Sequence, residues 1–354
     1  MTDHKLRFAL VGLGFSRHVL AAYTSAAEVE LAILCDIDGD KAAAISREHG
    51  VPYTTRFEDC LGSGIDAVDI STPNHLHAAQ ATAALRAGKH VLLQKPMART
   101  AAECAEIVAA GRTAGRTVGV FMSSLNRPVL HELRAMIAAG AFGELTLLRG
   151  ITAHRSSHVH WEKWGRGPDY WRRNKELTGG GAMALIGIHL INLLPWLAGR
   201  PVESVAAFSG NVASREIMQG DDITAAVCRL RSGGLVAIEA GYATEGDALG
   251  IHGTTGRAEL RAGELRVKLD QPWEGRVLDV AGGEQEAIFD ADEIQRRGAP
   301  FVAECEQHAA FARAVLAGEA PPVTGDTGMR DVAVLEAIYR SAESGRHETP
   351  AADG

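Results

Sequence analysis

The chain has 354 residues and a formal net charge of -8, with apolar residues making up 46% and charged residues 23% of its length. This composition is typical of a globular protein large enough for two hydrophobic cores, and the absence of a basic field argues against nucleic acid as a partner. The cysteines are odd in number and never in a metal-ligand spacing, which argues against a disulfide framework or zinc site and favours a reducing cytoplasm. They are Cys35, Cys60, Cys104, Cys228 and Cys305.

In the first third of the chain, short apolar runs alternate with longer helical patterns, which is typical of parallel βαβ units. The predicted strands cover residues 7–12, 30–36, 67–71, 90–94 and 117–121. Thr100 and Glu103 have the spacing of a capping box and predict the start of a helix. We therefore predict an α/β domain over residues 1–122, with a doubly wound parallel sheet of the Rossmann type.

A glycine-rich loop, Gly12 to Arg17, follows the first predicted strand and opens a helix. This context favours a loop whose backbone N–H groups approach a pyrophosphate, although a simple tight turn is the alternative. Asp36 closes the second predicted strand, where a carboxylate can accept hydrogen bonds from a ribose and repel a 2′-phosphate. NAD is thus preferred over NADP, unless Asp36 only caps the next helix, or Arg17 or Lys41 offsets the repulsion.

Beyond residue 122 the pattern changes to that of an α+β domain, which we assign to residues 123–354. A helix is predicted from Pro128 to Gly140, and strands over residues 202–210, 223–230, 235–242, 249–254, 257–262 and 264–269. Glycine-containing turns at 231–234 and 262–264 predict hairpins, and so a large, mostly antiparallel open sheet. Helices are predicted at 301–317 and 328–344, the last of which could pack back on the first domain.

The most apolar stretch, Ala182 to Gly199, carries His189, Asn192 and Pro195. Polar residues and proline inside it favour a buried helix over a membrane span. No secretory-signal pattern precedes the first strand, so we expect a soluble, cytoplasmic protein without a membrane partner.

A dense polar and aromatic run occupies residues 154–175. Aromatic rings beside hydrogen-bonding side chains suit a polyol, so a loop lining a substrate cleft is predicted. A metal site at His154, His158 and His160 is a weaker alternative, because no carboxylate or cysteine completes a ligand set. A partly solvated loop packed on the second domain is the third interpretation.

Three segments, residues 71–77, 92–98 and 179–199, resemble signature stretches of the Gfo/Idh/MocA oxidoreductase family. The resemblance extends over the full length and implies a Rossmann domain followed by an α+β domain whose open sheet often forms the subunit interface. It implies a homodimer or homotetramer, and a substrate held between the nicotinamide and the second domain. The implied cofactor-binding residues are Gly12, Leu13, Gly14, Phe15, Ser16, Arg17, Asp36, Ser71, Thr72, Pro73, Asn74, His77, Gln94 and Lys95.

The resemblance also carries over Lys95 and His189 as catalytic candidates. Lys95 ends the fifth predicted strand, on the edge where open α/β sheets bind ligands, and its ammonium can stabilise alkoxide character. On a regular helix Leu185, His189 and Asn192 share one face, and the preceding glycines, Gly179 to Gly181, leave room for a ligand. The predicted substrate-binding residues are Lys95, His154, Tyr170, Trp171, Arg172, Leu185, His189 and Asn192, with no metal.

Two departures from the family pattern bear on the chemistry. Gln94 replaces the usual glutamate before Lys-Pro, and Leu185 replaces the usual aspartate before His189. Without a neighbouring anion, neutral His189 is favoured, and we expect it to be the general base. The leading function is an NAD(P)-dependent dehydrogenase or reductase of a sugar, cyclitol or glycoside. The alternatives are a relative that uses tightly bound NAD for elimination or glycoside cleavage, and a non-catalytic NAD-binding regulator.

Overall fold

The computed structural model describes residues 5–14, 19–154, 170–297 and 303–351. The chain divides into two compact units. Unit 1 contains Met1–Asn126 and Val302–Val332, and unit 2 contains Arg127–Phe301 and Ala333–Gly354. The described α-helices are α1 (Leu20–Ser25), α2 (Gly39–His49), α3 (Asn74–Arg86), α4 (Ala101–Ala114), α5 (Pro128–Ala138), α6 (Lys175–Thr178), α7 (Ile188–Ala198), α8 (Ala291–Arg297), α9 (Ala303–Ala317) and α10 (Gly325–Ser344).

Unit 1 is built on a six-stranded sheet in which all neighbouring strands are parallel. Its strands are β1 (Leu6–Val11), β2 (Val29–Cys35), β3 (Tyr53–Thr54), β4 (Ala67–Ile70), β5 (His90–Gln94) and β6 (Val118–Phe121). The order β3-β2-β1-β4-β5-β6 is that of a doubly wound Rossmann sheet. The predicted fold of the first domain is confirmed, and β3 is the strand that the sequence pattern did not indicate.

The start of α4 follows half of the predicted capping box. The backbone N–H of Glu103 donates to Oγ1 of Thr100 at 3.1 Å. The Glu103 carboxylate does not complete the box but accepts from the backbone N–H of Arg99 at 3.0 Å and from its guanidinium. The arginine competes for the carboxylate because its donors are charged.

Unit 1 also includes a segment from the C-terminal third of the chain. Phe311, on α9, is 1% exposed and lies in the same core as Phe8 of β1. His308, one helical turn earlier, places Nε2 2.8 Å from Oδ2 of buried Asp69, which also accepts from the Tyr23 hydroxyl at 2.8 Å. Residues 302–332 therefore belong to the first unit, whereas the sequence pattern assigned them to the second domain.

Unit 2 contains an eight-stranded sheet in the order β16-β13-β12-β11-β7-β10-β9-β8. Its strands are β7 (Leu145–Ala153), β8 (Val202–Gly210), β9 (Ile223–Leu230), β10 (Leu235–Gly241), β11 (Gly246–Gly253), β12 (Gly256–Arg261), β13 (Glu264–Leu269) and β16 (Ala287–Asp290); β14 (Trp273–Glu274) and β15 (Asp279–Val280) form a separate ribbon. The predicted hairpins pair β9 with β10 and β12 with β13, antiparallel. All other pairings in the large sheet are antiparallel except β7 with β10, which is parallel. The mostly antiparallel sheet is confirmed, and central strand β7 was missed.

The apolar helix of unit 2 packs on one face of this sheet. It begins as a π-helical segment, Met183–Gly187, and continues as α7. Gly150 of β7 permits the close approach, because a Cβ there would lie 2.7 Å from Cδ2 of Leu190. By length and composition alone, the stretch Lys175–Ala198 could cross a membrane, but 78% of its most apolar window is buried inside the fold. It is the buried core helix that the sequence predicted.

Candidate functional site

The loop after β1 is held against the loop after β4 by Gly12. Its φ is +91°, and a Cβ there would lie 2.7 Å from the carbonyl oxygen of Ser71, so only glycine fits without a shift of backbone. Gly14 differs, because a Cβ there would meet no atom of the described residues within 4 Å. The first glycine makes the close turn, and the second leaves one side of the loop open. Phe15, Ser16 and Arg17 lie outside the described residues.

Asp36 lies directly after β2 and is 8% exposed. Its Oδ2 accepts from the backbone N–H of Leu13 at 2.7 Å and from Nζ of Lys41 at 2.8 Å, and its Oδ1 accepts from the backbone N–H of Asp38 at 2.9 Å. Burial raises the pKa of Asp36, but these donors outweigh burial and hold its pKa below the ordinary value. The side chain that caps α2 is Asp38, which accepts from Lys41 N–H at 3.0 Å. Asp36 is thus an ionised carboxylate beside the glycine loop and not the helix cap.

The loop after β4, Ser71 to Asn74, is held in place by contacts with the buried ring of His77. One ring nitrogen of His77 lies 2.9 Å from the carbonyl oxygen of Thr72, and the other lies 3.1 Å from that of Pro96. The ring is 0% exposed, and burial lowers its pKa, although the carbonyl contacts oppose that shift in part. The placement of His77 as a cofactor-binding residue therefore needs correction: it has no surface to present to a ligand and instead joins two loops of the site.

Gln94 is the last residue of β5, Lys95 opens the loop that follows, and both are half-buried. The side-chain Oε1 of Gln94 accepts from the backbone N–H of Lys95 at 3.0 Å, and the Lys95-Pro96 peptide is cis. The amide oxygen thus retains the acceptor position that a glutamate carboxylate would offer, without its negative charge. The loop places Lys95 immediately after the carboxyl end of β5.

The candidate site residues of unit 1 lie at one edge of the sheet because β1, β2, β4 and β5 end side by side. Val11 pairs with both Cys35 and Ile70, and Ile70 pairs with Leu93. The strand order reverses between β1 and β4, and open α/β sheets bind ligands at the carboxyl edge of such a reversal. A glycine turn, an ionised carboxylate and an open loop at this edge fit the pyrophosphate and ribose of a dinucleotide.

In unit 2 the structure brings Leu185 and Tyr170 together in one apolar cluster. Leu185 is 7% exposed and packs with buried Tyr242 and Met218, and Tyr170 and Ile186 border the group. Tyr242 and Met218 were not singled out from the sequence, because only the fold brings them to Leu185. The leucine that replaces the family carboxylate is thus part of a hydrophobic wall.

The rest of the aromatic run that can be described is a short turn, Trp171–Arg173. The Arg172 guanidinium lies over the Trp171 ring, 5.2 Å from its centroid, and the Tyr170 and Trp171 rings meet edge to face at 6.2 Å. His154, after β7, is exposed. His158 and His160 lie outside the described residues, as does the rest of the segment 155–169.

His189 and Asn192 lie on α7, past the π-helical segment. His189 is half-buried, and Asn192 is 4% exposed, so the imidazole offers the larger surface. The π-helical turn of Met183–Gly187 changes the angular spacing, so the regular helix used to place Leu185 and His189 on one face does not hold across this junction. Leu185 packs in the apolar cluster with Tyr242.

Gly180 and Gly181 serve packing, which corrects for these two glycines the expectation that they leave room for a ligand. A Cβ on Gly180, whose φ is +149°, would overlap the hydroxyl of Tyr339. A Cβ on Gly181 would overlap the backbone of Asp221. No local pattern signals these partners, because Asp221 and Tyr339 lie far along the chain.

Known proteins match the chain over nearly its whole length. Residues 6–122 match a family model described as an oxidoreductase family with an NAD-binding Rossmann fold, and residues 130–259 match the GFO/IDH/MocA C-terminal domain. The chain is 28% identical to the 1,5-anhydro-D-fructose reductase of Ensifer adhaerens over 346 residues, which cover 96% of this chain and 97% of the reductase. It is 25% identical over 355 residues to a D-xylose 1-dehydrogenase of Haloarcula marismortui named for NADP(+), covering 97% of this chain and 92% of that enzyme.

A solved structure shows the same architecture. The WlbA dehydrogenase from Bordetella pertussis, in complex with NADH and UDP-GlcNAcA, has a TM-score of 0.82 and 26% sequence identity to this chain. The match covers 100% of both chains. The family resemblance predicted from the three sequence segments is confirmed.

Proposed function

The chain belongs to the Gfo/Idh/MocA oxidoreductase family, and from that premise we propose that it transfers a hydride between a nicotinamide cofactor and a secondary alcohol or ketone of a sugar, cyclitol or glycoside. The observation that carries this proposal is the position of the Asp36 carboxylate beside the Gly12 turn, at the reversal point of the parallel sheet. The names of the relatives, a sugar reductase and a sugar dehydrogenase, support the substrate class.

The cofactor we propose is NAD, which supplies the hydride acceptor or donor. The backbone of residues 12–14 would face its pyrophosphate, and Asp36 would accept from its ribose hydroxyls. The open side of Gly14 and the ionised state of Asp36 both fit this assignment. Lys41, 2.8 Å from Asp36, offsets part of the charge that would repel a 2′-phosphate, so NADP is the second choice.

Two side chains, Lys95 and His189, are proposed to handle the proton and the charge of the reacting oxygen. The ammonium of Lys95 would donate a hydrogen bond to that oxygen and stabilise alkoxide character. His189 would accept the hydroxyl proton during oxidation and return it during reduction. Leu185 cannot exchange a proton, so His189 carries this role without the carboxylate that its relatives have.

The substrate-binding surface is proposed to include Tyr170, Trp171 and Arg172, with exposed His154 and half-buried His189. Aromatic faces suit the C–H faces of a sugar, and the stacked guanidinium of Arg172 offers donors to its hydroxyls.

We propose that the large sheet of unit 2 also forms a dimer or tetramer interface. Its face opposite α7 exposes apolar side chains, with Phe208 85%, Val227 46% and Leu235 38% exposed. Exposed apolar patches of this kind mark association surfaces. The described cysteines are free and buried, which supports a reducing compartment such as the cytoplasm.

The test is to incubate purified protein with sugars, inositols and glycosides, with and without added NAD⁺, and to follow both NADH and sugar products. Formation of NADH and a keto sugar, dependent on added NAD⁺, is the expected result. Turnover without net NADH would support the alternative of a relative that uses tightly bound NAD for elimination or glycoside cleavage. NAD binding without any turnover across the panel would support a regulatory role instead.

A further inference from the structure

The helix that carries Leu185 and His189 has no local capping side chain at its start. The first backbone N–H groups of any helix lack partners within the helix and must find them elsewhere. In this helix, two residues that are distant in sequence supply all of these hydrogen-bond acceptors. The N–H of Gly181 donates to Asp221 Oδ1 at 2.8 Å, and that of Met183 donates to Asp221 Oδ2 at 2.9 Å.

The remaining donors go to the same two residues. The N–H of Ala182 donates to the backbone oxygen of Asp221 at 2.7 Å, and the N–H of Ala184 donates to the Tyr339 hydroxyl at 3.2 Å. The Tyr339 hydroxyl in turn donates to Asp221 Oδ1 at 2.7 Å. Regular helical bonding begins immediately afterwards, when Leu185 N–H donates to the oxygen of Gly181 at 2.9 Å.

The pair, which we call the Asp221–Tyr339 cap, is itself held in place. Asp221 is 7% exposed, and its Oδ2 also accepts from the hydroxyl of fully buried Thr224 on β9 at 2.8 Å. Burial and the adjacent Asp221 charge raise the pKa of Tyr339 well above its ordinary value, so its hydroxyl keeps the proton that it donates. A buried carboxylate at a helix N-terminus is favoured by the partial positive charge there.

We infer that Asp221 and Tyr339 are positioning residues, which fix the first turn of this helix and so the placement of His189. The inference rests on the proposed role of His189. Neither residue needs to contact the substrate: they set where the helix begins, and Gly187, whose Cβ would lie 2.8 Å from Cβ of Ala240, sets its distance from β10. With both ends of the π-helical segment fixed, the backbone position from which His189 extends is fixed as well.

The decisive variant is Tyr339→Phe, which keeps the ring and removes the hydroxyl that serves Gly181, Ala184 and Asp221. Its matched control is Ser341→Ala on the same helix. Ser341 is 1% exposed, and its hydroxyl accepts from Ala207 N–H at 3.0 Å and donates to the oxygen of Arg346 at 2.6 Å. Both variants lose a buried hydroxyl of α10, but only the first disturbs the cap.

Steady-state kinetics and hydrogen exchange followed by mass spectrometry are measured on both variants. For Tyr339→Phe we expect kcat to fall roughly tenfold to a hundredfold with the KM for NAD⁺ unchanged, because a displaced base loses turnover and not cofactor affinity. Amide exchange in peptides covering residues 180–185 should speed up about tenfold, the equivalent of one lost hydrogen bond. Ser341→Ala should lower the melting temperature while leaving both quantities at wild-type values.

Equal kcat losses in the two variants, or an unchanged kcat in Tyr339→Phe, would overturn the positioning role. The exchange measurement needs no substrate, so it tests the cap even if the proposed function fails. Unchanged exchange at residues 180–185 in Tyr339→Phe would overturn the cap itself. A wild-type protein without turnover on any sugar would refute the proposed function and leave the exchange result to decide the cap.

Discussion

At the residue scale, the proposed function depends on two side chains that directly follow strands of the unit 1 sheet, Asp36 and Lys95. Parallel strands bring such positions to one edge of the sheet, so both residues could be proposed from the sequence. What each side chain contacts was less predictable. The contact of His308 with Asp69 joins residues 239 positions apart, and no local pattern signals such a pair.

Asp36 is expected to determine cofactor affinity. The variant Asp36→Ala should raise the KM for NAD⁺ roughly tenfold to a hundredfold, the usual effect of losing hydrogen bonds to a charged group. The KM for NADP⁺ should rise less, because repulsion of the 2′-phosphate is lost at the same time. Steady-state kinetics with each cofactor measures both values.

The control for this variant is Asp38→Ala, which removes the neighbouring carboxylate that caps α2. It should lower the free energy of unfolding by about 1 kcal/mol without changing the preference for NAD⁺ over NADP⁺. A loss of preference in Asp38→Ala, or a retained preference in Asp36→Ala, would contradict the assignment.

His77 should make the folded protein sensitive to mild acid. Burial lowers its pKa in the folded state below the unfolded value of about 6.5, so the unfolded chain binds the proton first as pH falls. Its stabilising contribution is therefore complete above about pH 6.5 and is lost below it. Melting temperatures of the wild type and of His77→Gln, measured from about pH 7 to about pH 5, should show a shallower decline in the variant. Parallel declines would refute this assignment.

At the element scale, the sequence predicted elements with clear periodicity and missed those that depend on neighbours. The hairpins of unit 2 were predictable because glycine turns separate alternating strands. Strand β7 was missed because buried and exposed residues do not alternate regularly along Leu145–Ala153. One buried position is Gly150, against which Leu190 of α7 packs. The π-helical segment was not predicted either, and the residues that cap its start, Asp221 and Tyr339, are distant from it in sequence.

The loop after β1 offers a comparison of two glycines. Gly12→Ala should destabilise unit 1 by about 1–3 kcal/mol, because the methyl group meets the backbone of Ser71 at a positive φ. Gly14→Ala should fold with wild-type stability, since the methyl group meets nothing within 4 Å, but should weaken NAD binding by obstructing the open side. Thermal unfolding and NAD titration separate the two effects. A destabilised Gly14→Ala protein that binds NAD normally would contradict this account of the loop.

At the scale of the whole molecule, the division into two units was visible as a change of pattern near residue 122. For the end of the chain, the sequence analysis allowed only that the last predicted helix, residues 328–344, could pack back on the first domain, whereas the structure places residues 302–332 in unit 1. A helical pattern does not reveal in which core a helix packs. The exposed face of the large sheet is likewise readable only once strand order and register are known. Phe208, on β8, is then seen to be 85% exposed.

Association through this face predicts that Phe208→Asp yields a smaller assembly than the wild type. A charge at the centre of an apolar interface cannot be buried without a partner. Leu316→Asp is the control, because Leu316 is a similarly apolar residue, 43% exposed, on α9 of unit 1. Light scattering coupled to size exclusion should show a change for Phe208→Asp alone. An unchanged mass would exclude this face as the interface.

The central claim is that Lys95 and His189 act in hydride transfer to or from NAD. It is tested most directly by single-turnover formation of NADH from an identified sugar substrate, in the wild type, Lys95→Ala and His189→Ala. Loss of a general base should slow the chemical step about 10²–10⁴-fold while NAD binding, followed separately by fluorescence, is retained. Wild-type rates of NADH formation in His189→Ala would contradict the account.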